Sequence, residues 1–202
     1  MPRTSSESIL FVISGPSGSG KTTLWKRLLK EFKDITRSVS VTTRPPRGRE
    51  KNGKDYTFVS EKKFLKMIKK GEFLEWALVH NHYYGTPIKN IENARKRGID
   101  IILEIDVQGA MKIKKSGIKA VFIFVSPPSL NDLKNRLIKR GDVSEKEIRS
   151  RIEVAREEMN YIPEYDYLII NKDLNSAYKD LKAIITAERL RTFRSYIKFP
   201  LR

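Results

Sequence analysis

An apolar run, Ile9-Leu10-Phe11-Val12-Ile13, leads straight into Ser14-Gly15-Pro16-Ser17-Gly18-Ser19-Gly20-Lys21-Thr22-Thr23. Gly15, Gly20, Lys21 and Thr22 meet the pattern G-x-x-x-x-G-K-[ST], and Leu24-Trp25-Lys26-Arg27-Leu28-Leu29 continues with helical periodicity. No other feature of the chain limits its fold so strongly. A strand, a glycine loop and a helix in this order bring consecutive backbone N–H groups around a phosphate, because Gly15, Gly18 and Gly20 permit φ > 0. The helix adds the positive end of its dipole. Lys21 is expected to reach the β- and γ-phosphates of a nucleoside triphosphate, and the Thr22 hydroxyl to ligate Mg²⁺. Pro16, Ser17, Ser19 and Thr23 complete the ATP-binding loop. The plainer alternative is a glycine-rich turn with an exposed lysine. It does not account for a full motif between a strand and a helix.

The hydrophobic pattern beyond the loop alternates strands with helices. Helical spacing is expected over 22–31, 61–70, 88–97, 107–115, 130–139 and 176–194, and strands over 37–43, 56–59, 73–79, 99–105, 120–125 and 167–170. A further helix begins at Ser144, where Glu147 three residues on makes a capping box. The runs IDIILEI and AVFIFV are of the fully buried kind. Together these predict an α/β fold: a doubly wound parallel sheet with helices on both faces. Residues 1–36, 88–127 and 165–202 form its core. Residues 37–87, with short strands between Gly and Pro, read as an inserted small mixed β/α lobe. Residues 128–164, two basic helices without a strand, read as a second insertion.

The length of 202 residues suits one globular unit. Lys and Arg number 41 against 24 Asp and Glu, a net charge of +17 that favours polyanions without choosing among them. There is no Cys, which excludes disulfides and thiolate chemistry. His80 and His82 form an H-x-H pair, read as a solvated loop pair because no third ligand cluster accompanies them. No segment approaches the ~20 apolar residues of a membrane span, so a cytoplasmic protein is expected. The basic, aromatic C-terminus RLRTFRSYIKFPLR reads as a solvated helix end rather than a nucleic-acid contact.

A phosphorylated acceptor would need a second anion site. The stretch VTTRPPRGREKNGKDYTF offers Arg44 and Arg47, whose guanidinium forks can converge on one phosphate, with Tyr56 nearby. A solvated basic loop is an equal reading of that stretch alone. Glu75 and Asp106 can accept from N1–H and N2–H₂ of guanine, groups that adenine lacks, and Thr86 can donate to a carbonyl such as O6. The alternatives are a surface acid for Glu75 and metal coordination for Asp106.

These motifs follow one another as in guanylate kinases: GPSGSGKTT, SVSVTTRPPR, GKDYTF, GEFLEWALVHNHYYGT, ILEIDVQG and RLIKRG. The chain resembles that family over roughly residues 8–190. The resemblance implies Mg²⁺-dependent phosphoryl transfer from ATP to GMP, with dGMP as a related acceptor, a GMP-binding lobe and a mobile lid. It implies that Ser40, Arg44, Arg47, Glu50, Tyr56 and Tyr84 surround the GMP phosphate and that Glu75, Thr86 and Asp106 read guanine. It implies further that Arg136, Arg140 and Arg151 close over the transferring group beside Lys21 and Arg44, and that Asn171 lies near adenine. Nucleic acid is not an expected partner. One departure stands out: Arg47-Gly48-Arg49-Glu50 carries Arg49 where the family has glycine, so the loop backbone is expected to differ locally. Two other readings predict different behaviour. A scaffold module of this fold would lose Lys21 or the lid arginines, and a nucleic-acid-stimulated ATPase would need no GMP.

Overall fold

The computed structural model describes residues 8–48, 50–79, 81–140 and 144–195, with the side chains of Arg140, Phe193 and Ser195 excluded. Arg49, His80 and the C-terminal stretch past Ser195 lie outside the described residues. The first sheet has the order β2-β7-β1-β8-β9, built from Ile35–Arg37 (β2), Asp100–Glu104 (β7), Leu10–Ser14 (β1), Val121–Ser126 (β8) and Tyr167–Ile170 (β9). Every pairing in it is parallel. Its central strands are buried on both sides, so they are apolar without a break. Phe11 and Ile13 pack on α1 (Lys21–Glu31) and α7 (Leu174–Arg189), while Leu10 and Val12 pack on α3 (Ile88–Lys96) and α4 (Val107–Lys115). This is the doubly wound α/β arrangement that the sequence predicts.

A second, mixed sheet has the order β4-β3-β6-β5, from Thr57–Phe58 (β4), Val41–Thr42 (β3), His82–Pro87 (β6) and Phe73–Val79 (β5). Helix α2 (Glu61–Lys69) covers it through Phe64, which stacks on Phe73 and Tyr83. Between β8 and β9, α5 (Leu130–Arg140) and α6 (Glu145–Met159) pack together through Leu133, Leu137, Ile148 and Ala155. The Ser144 capping box forms as expected. No described helix is long and apolar enough to cross a membrane.

Three sequence expectations need correction. The single strand expected over 37–43 is two strands in two sheets. Arg37 ends the ladder with Ile102, Ser38 N–H still donates to the Ile102 carbonyl, and by Ser40 the carbonyl accepts from Thr57 N–H in the other sheet. Alternation records strand conformation and is silent about which neighbour the strand pairs with. Strand β6 was not anticipated, because Gly85 and Pro87 weaken its pattern. Gly85 is required there, since a Cβ would stand 2.8 Å from the Phe73 ring. The long helix expected over 176–194 starts earlier, capped by Asp173, and stops at Arg189 before a short α8 (Thr192–Ser195).

The start of β7 is pinned by a buried charge. The carboxylate of Asp100, fully buried, accepts from Ile9 N–H at 2.7 Å and pairs with Arg189 at 2.9 Å, tying β1, β7 and α7 together. Arg189 also pairs with Asp34 at 3.0 Å, so loss of the Asp100 carboxylate weakens the arginine's pairing and leaves the buried Ile9 N–H without its acceptor. Asp100→Ala is expected to lower the unfolding free energy by about 3 kcal/mol, read from urea titration.

Candidate active site

The phosphate loop sits at the carboxyl end of β1 and is shaped by its neighbours. A Cβ on Gly15 (φ 137°) would lie 2.2 Å from the Val125 carbonyl oxygen of β8, so only glycine fits. Gly20 (φ 96°) precedes α1, and a Cβ there would meet Asn171 Nδ2 at 2.2 Å. Asn171 follows β9, and its Nδ2 donates to the Ser19 carbonyl at 2.7 Å. Arg136 of α5 donates to the carbonyl of Asn171 at 2.5 Å and to that of Ser19 at 3.4 Å. The loop is thus braced by two strand ends and a helix from the inserted pair. Lys21 Nζ donates to the carbonyls of Gly15 (2.6 Å) and Pro16 (3.0 Å). Burial lowers its pKa, opposed by the carboxylates of Glu104, Glu158 and Asp106. Thr22 Oγ1 donates to Glu104 Oε1 at 2.8 Å.

Across the cleft, Arg44 is buried and held at four points. It donates to both Glu50 oxygens (2.9 and 3.0 Å), to the Tyr84 hydroxyl (3.2 Å) and to the Pro45 carbonyl (2.6 Å). Glu50 also accepts from Arg47 N–H at 2.8 Å. Burial would raise the Glu50 pKa, but the Arg44 and Arg47 bonds outweigh it and hold the carboxyl below its ordinary value. The Tyr56 ring lies 5.4 Å from the Arg44 guanidinium, and burial pushes its hydroxyl up to about 12, so it stays a neutral donor.

At the inner end, Glu75 of β5 and Asp106 converge. Asp106 caps α4 through Gly109 N–H. Glu75 is buried, accepts from Thr86 Oγ1 at 2.6 Å and lies so close to α4 that a Cβ on Gly109 would stand 2.6 Å from its Oε2. Burial, with the Asp106 charge adding to it and Thr86 opposing, pushes the Glu75 pKa up to about 7. On the far side, α6 presents Glu147, Arg151 and Glu158, spaced by four and seven residues on one helical face. Burial, opposed by Lys21, pushes Glu158 up to about 7 as well.

All of this lines one cavity of about 850 Å³. Among the expected site residues, Gly15, Ser17, Gly18, Gly20, Lys21, Thr22, Thr23, Ser40, Arg44, Arg47, Glu50, Tyr56, Glu75, Tyr84, Asp106, Arg136 and Arg151 border it. Pro16, Ser19, Thr86 and Asn171 stand behind its wall, Thr86 supporting Glu75 and Asn171 supporting the loop. The Arg140 side chain lies outside the described residues. Sequence reading missed Glu104 and Glu158 as site residues. Both had a signal: Glu104 is two positions from Asp106 in ILEID, and Glu158 is two helical turns from Arg151.

The donor set near Thr22 suits a hard cation. Its hydroxyl and the Glu104 carboxylate are oxygen ligands, and among the described residues no cluster of three or more His, Cys, Asp or Glu is arranged to hold a metal. Mg²⁺ needs no such cage, because it keeps waters and takes substrate phosphates as ligands. The residues therefore fit it.

A carboxyl whose folded pKa lies above its unfolded value binds protons more tightly when folded. Its contribution to stability is full below about 4.5 and fades as pH rises through about 7. Glu75→Gln keeps the acceptor for Thr86 and removes that titration. Relative to the parent chain, the variant should gain roughly 2 kcal/mol of unfolding free energy between pH 5 and pH 8, measured by denaturant titration at each pH.

The family model for guanylate kinase matches residues 7–188. The guanylate kinase of Caldanaerobacter subterraneus subsp. tengcongensis is 48% identical over 189 residues, 94% of this chain and 92% of the relative. That of Thermotoga maritima is 46% identical over 94% of this chain and 91% of the relative. The crystal structure of guanylate kinase from Anaplasma phagocytophilum superposes with a TM-score of 0.78 at 35% identity, covering 95% of this chain and 91% of that one. A family model that takes in nearly the whole chain, and relatives matched almost end to end, place this chain in the guanylate kinase family.

Proposed function

We propose that the protein transfers the γ-phosphoryl group of Mg·ATP to GMP, giving ADP and GDP. The observation that carries this reading is one continuous cavity with an anion cradle at each end and a carboxylate pair beyond the second. Water as acceptor would have no use for the Arg44 cluster, and a non-guanine acceptor none for the pairing of Glu75 with Asp106.

In this reading Gly15 to Thr23 hold the triphosphate on backbone N–H groups, and Lys21 moves from the Gly15 and Pro16 carbonyls onto its oxygens. Thr22 holds Mg²⁺, whose charge offsets that of the β- and γ-phosphates. Ser40, Arg44, Arg47, Tyr56 and Tyr84 hold the acceptor phosphate, and Glu50 fixes Arg44 in place. That phosphate is mostly a dianion at neutral pH, so it needs no general base. The obstacle is repulsion between two polyanions, and positioning with charge stabilisation is what overcomes it. Arg136, Arg140 and Arg151 supply positive charge from residues 128–164, which act as a lid over the acceptor lobe of residues 37–87. Glu75, supported by Thr86, accepts from guanine N1–H and N2–H₂ as the carboxylate, so base binding draws its pKa down from about 7.

The test is ADP release with Mg·ATP and GMP, AMP, CMP, UMP, RNA or no acceptor. Release with GMP alone is expected. Release without an acceptor, or stimulation by RNA, would overturn the reading. Lys21→Ala should lower kcat roughly 100-fold or more, and Arg151→Ala should lower kcat more than it raises KM. Glu75→Gln should raise KM for GMP about tenfold while leaving KM for ATP unchanged, because only the base contact is lost.

A further inference from the structure

Two side chains that the mechanism above does not use, Trp25 and Arg37, sit in an unbroken line of contacts between the two substrate ends. The line begins at Thr22, whose hydroxyl donates to one oxygen of Glu104 at 2.8 Å. The other oxygen of Glu104 accepts the indole N–H of Trp25. Arg37 lies over the Trp25 ring, its guanidinium carbon 4.6 Å from the ring centre. Arg37 Nη2 then donates to the carbonyls of Lys54 and Asp55, at 2.5 and 2.8 Å. The next residue is Tyr56. Both Glu104 and Arg37 act electrostatically on the Tyr56 hydroxyl.

Each link has a single purpose. An indole N–H can only donate, and Glu104 is the acceptor it has here. A guanidinium is planar, so it can stack on an indole while its edge donates to carbonyls, a combination that an ammonium group cannot reproduce. The turn at residues 51–55 is closed on itself. Lys54 and Asp55 N–H groups donate to the Lys51 carbonyl, Gly53 N–H donates to the Tyr56 carbonyl, and the Asp55 carboxylate accepts from Lys51 N–H at 2.8 Å. Tethering two of its carbonyls therefore places Tyr56 with it. Lys26, exposed and 3.9 Å from Asp55, adds a weaker parallel link.

We propose that Trp25 and Arg37 are positioning residues that couple occupancy of the phosphate loop to the GMP lobe, through the contacts running from Thr22 by Glu104 to the turn before Tyr56. This rests on the ATP and GMP assignment above. A hydroxyl whose oxygen ligates a cation becomes a stronger proton donor. Engagement of Thr22 thus tightens its bond to Glu104, fixes the indole that Glu104 holds, and steadies the platform under Arg37. The turn is then already ordered when GMP arrives, so GMP binds more tightly. By thermodynamic reciprocity, GMP favours nucleotide binding by the same factor.

The test is GMP affinity by calorimetry on the full chain, with and without Mg·β,γ-methylene-ATP. In the parent protein the analogue should tighten GMP binding by about fivefold or more. Trp25→Phe keeps an aromatic ring beneath Arg37 while removing the N–H that Glu104 accepts, together with part of the ring area. It should leave affinity for GMP alone within about twofold while the enhancement falls below about twofold. Arg37→Ala should weaken GMP binding in both conditions and abolish the enhancement, and Arg37→Lys, which cannot stack and fork together, should not restore it. In a Trp76→Phe background Trp25 is the only tryptophan, and its emission should change when the analogue binds. An enhancement unchanged in Trp25→Phe and Arg37→Ala, or a Trp25 emission blind to the analogue, would overturn the coupling. A parent protein that releases ADP without regard to GMP would instead overturn the underlying assignment, so the two failures are distinguishable.

Discussion

The phosphate loop keeps its shape because other strands hold it from behind. Val125 of β8 passes so near Gly15 that no side chain fits between them. Asn171, just past β9, fills the space behind Gly20 and holds the Ser19 carbonyl. A nest of N–H groups binds an anion well only if it need not be assembled on binding. The five-stranded sheet supplies that rigidity, and Arg136 extends the brace to α5 through the same Ser19 carbonyl and the carbonyl of Asn171. The inserted helices are thus tied to the loop they are proposed to close over.

The second organising fact is a local reversal of charge. The chain carries a net +17, yet carboxylates of Glu104, Asp106 and Glu158 surround Lys21 and oppose the loss of its proton. Glu75 and Glu158 lie in surroundings that favour their neutral forms, and Glu50 in surroundings that favour its charge. The difference follows the partners. Glu50 meets a guanidinium fork at two oxygens, whereas Glu75 meets one hydroxyl and faces another acid. Carboxylates in one cavity are thereby prepared for different work, one for fixing an arginine and one for meeting a base.

Much of this was legible beforehand. The loop, the buried strands and most helices could be read from spacing, because a 3.6-residue or an unbroken apolar pattern reports what one segment buries. The residue types themselves offered Arg44, Arg47, Glu75 and Asp106, and the resemblance to guanylate kinases added Ser40, Glu50, Tyr84 and the lid arginines. What escaped was pairing and mediation. Residues 37–43 alternate without interruption, yet the chain leaves one sheet for the other at Ser38 to Ser40. The supporting contacts of Thr86 and Asn171, to Glu75 and to the Ser19 carbonyl, also escaped, because residue type does not say which neighbour a side chain meets. Glu104 and Glu158 were passed over because a lone acid in a strand or a charged helix resembles many others.

By itself the sequence determined the fold class, the phosphate loop and the types of group available to a second anion. Those depend on local conformation and on hydrophobic period, which neighbouring residues set among themselves. Only the tertiary structure decided that the two anion sites share one cavity, that the Glu75 carboxyl is buried enough to titrate near neutrality, and that Trp25 and Arg37 bridge the sheets. Each of these is a distance between segments far apart in the chain. Such distances follow from the packing of strands and helices against one another, and no local pattern encodes them.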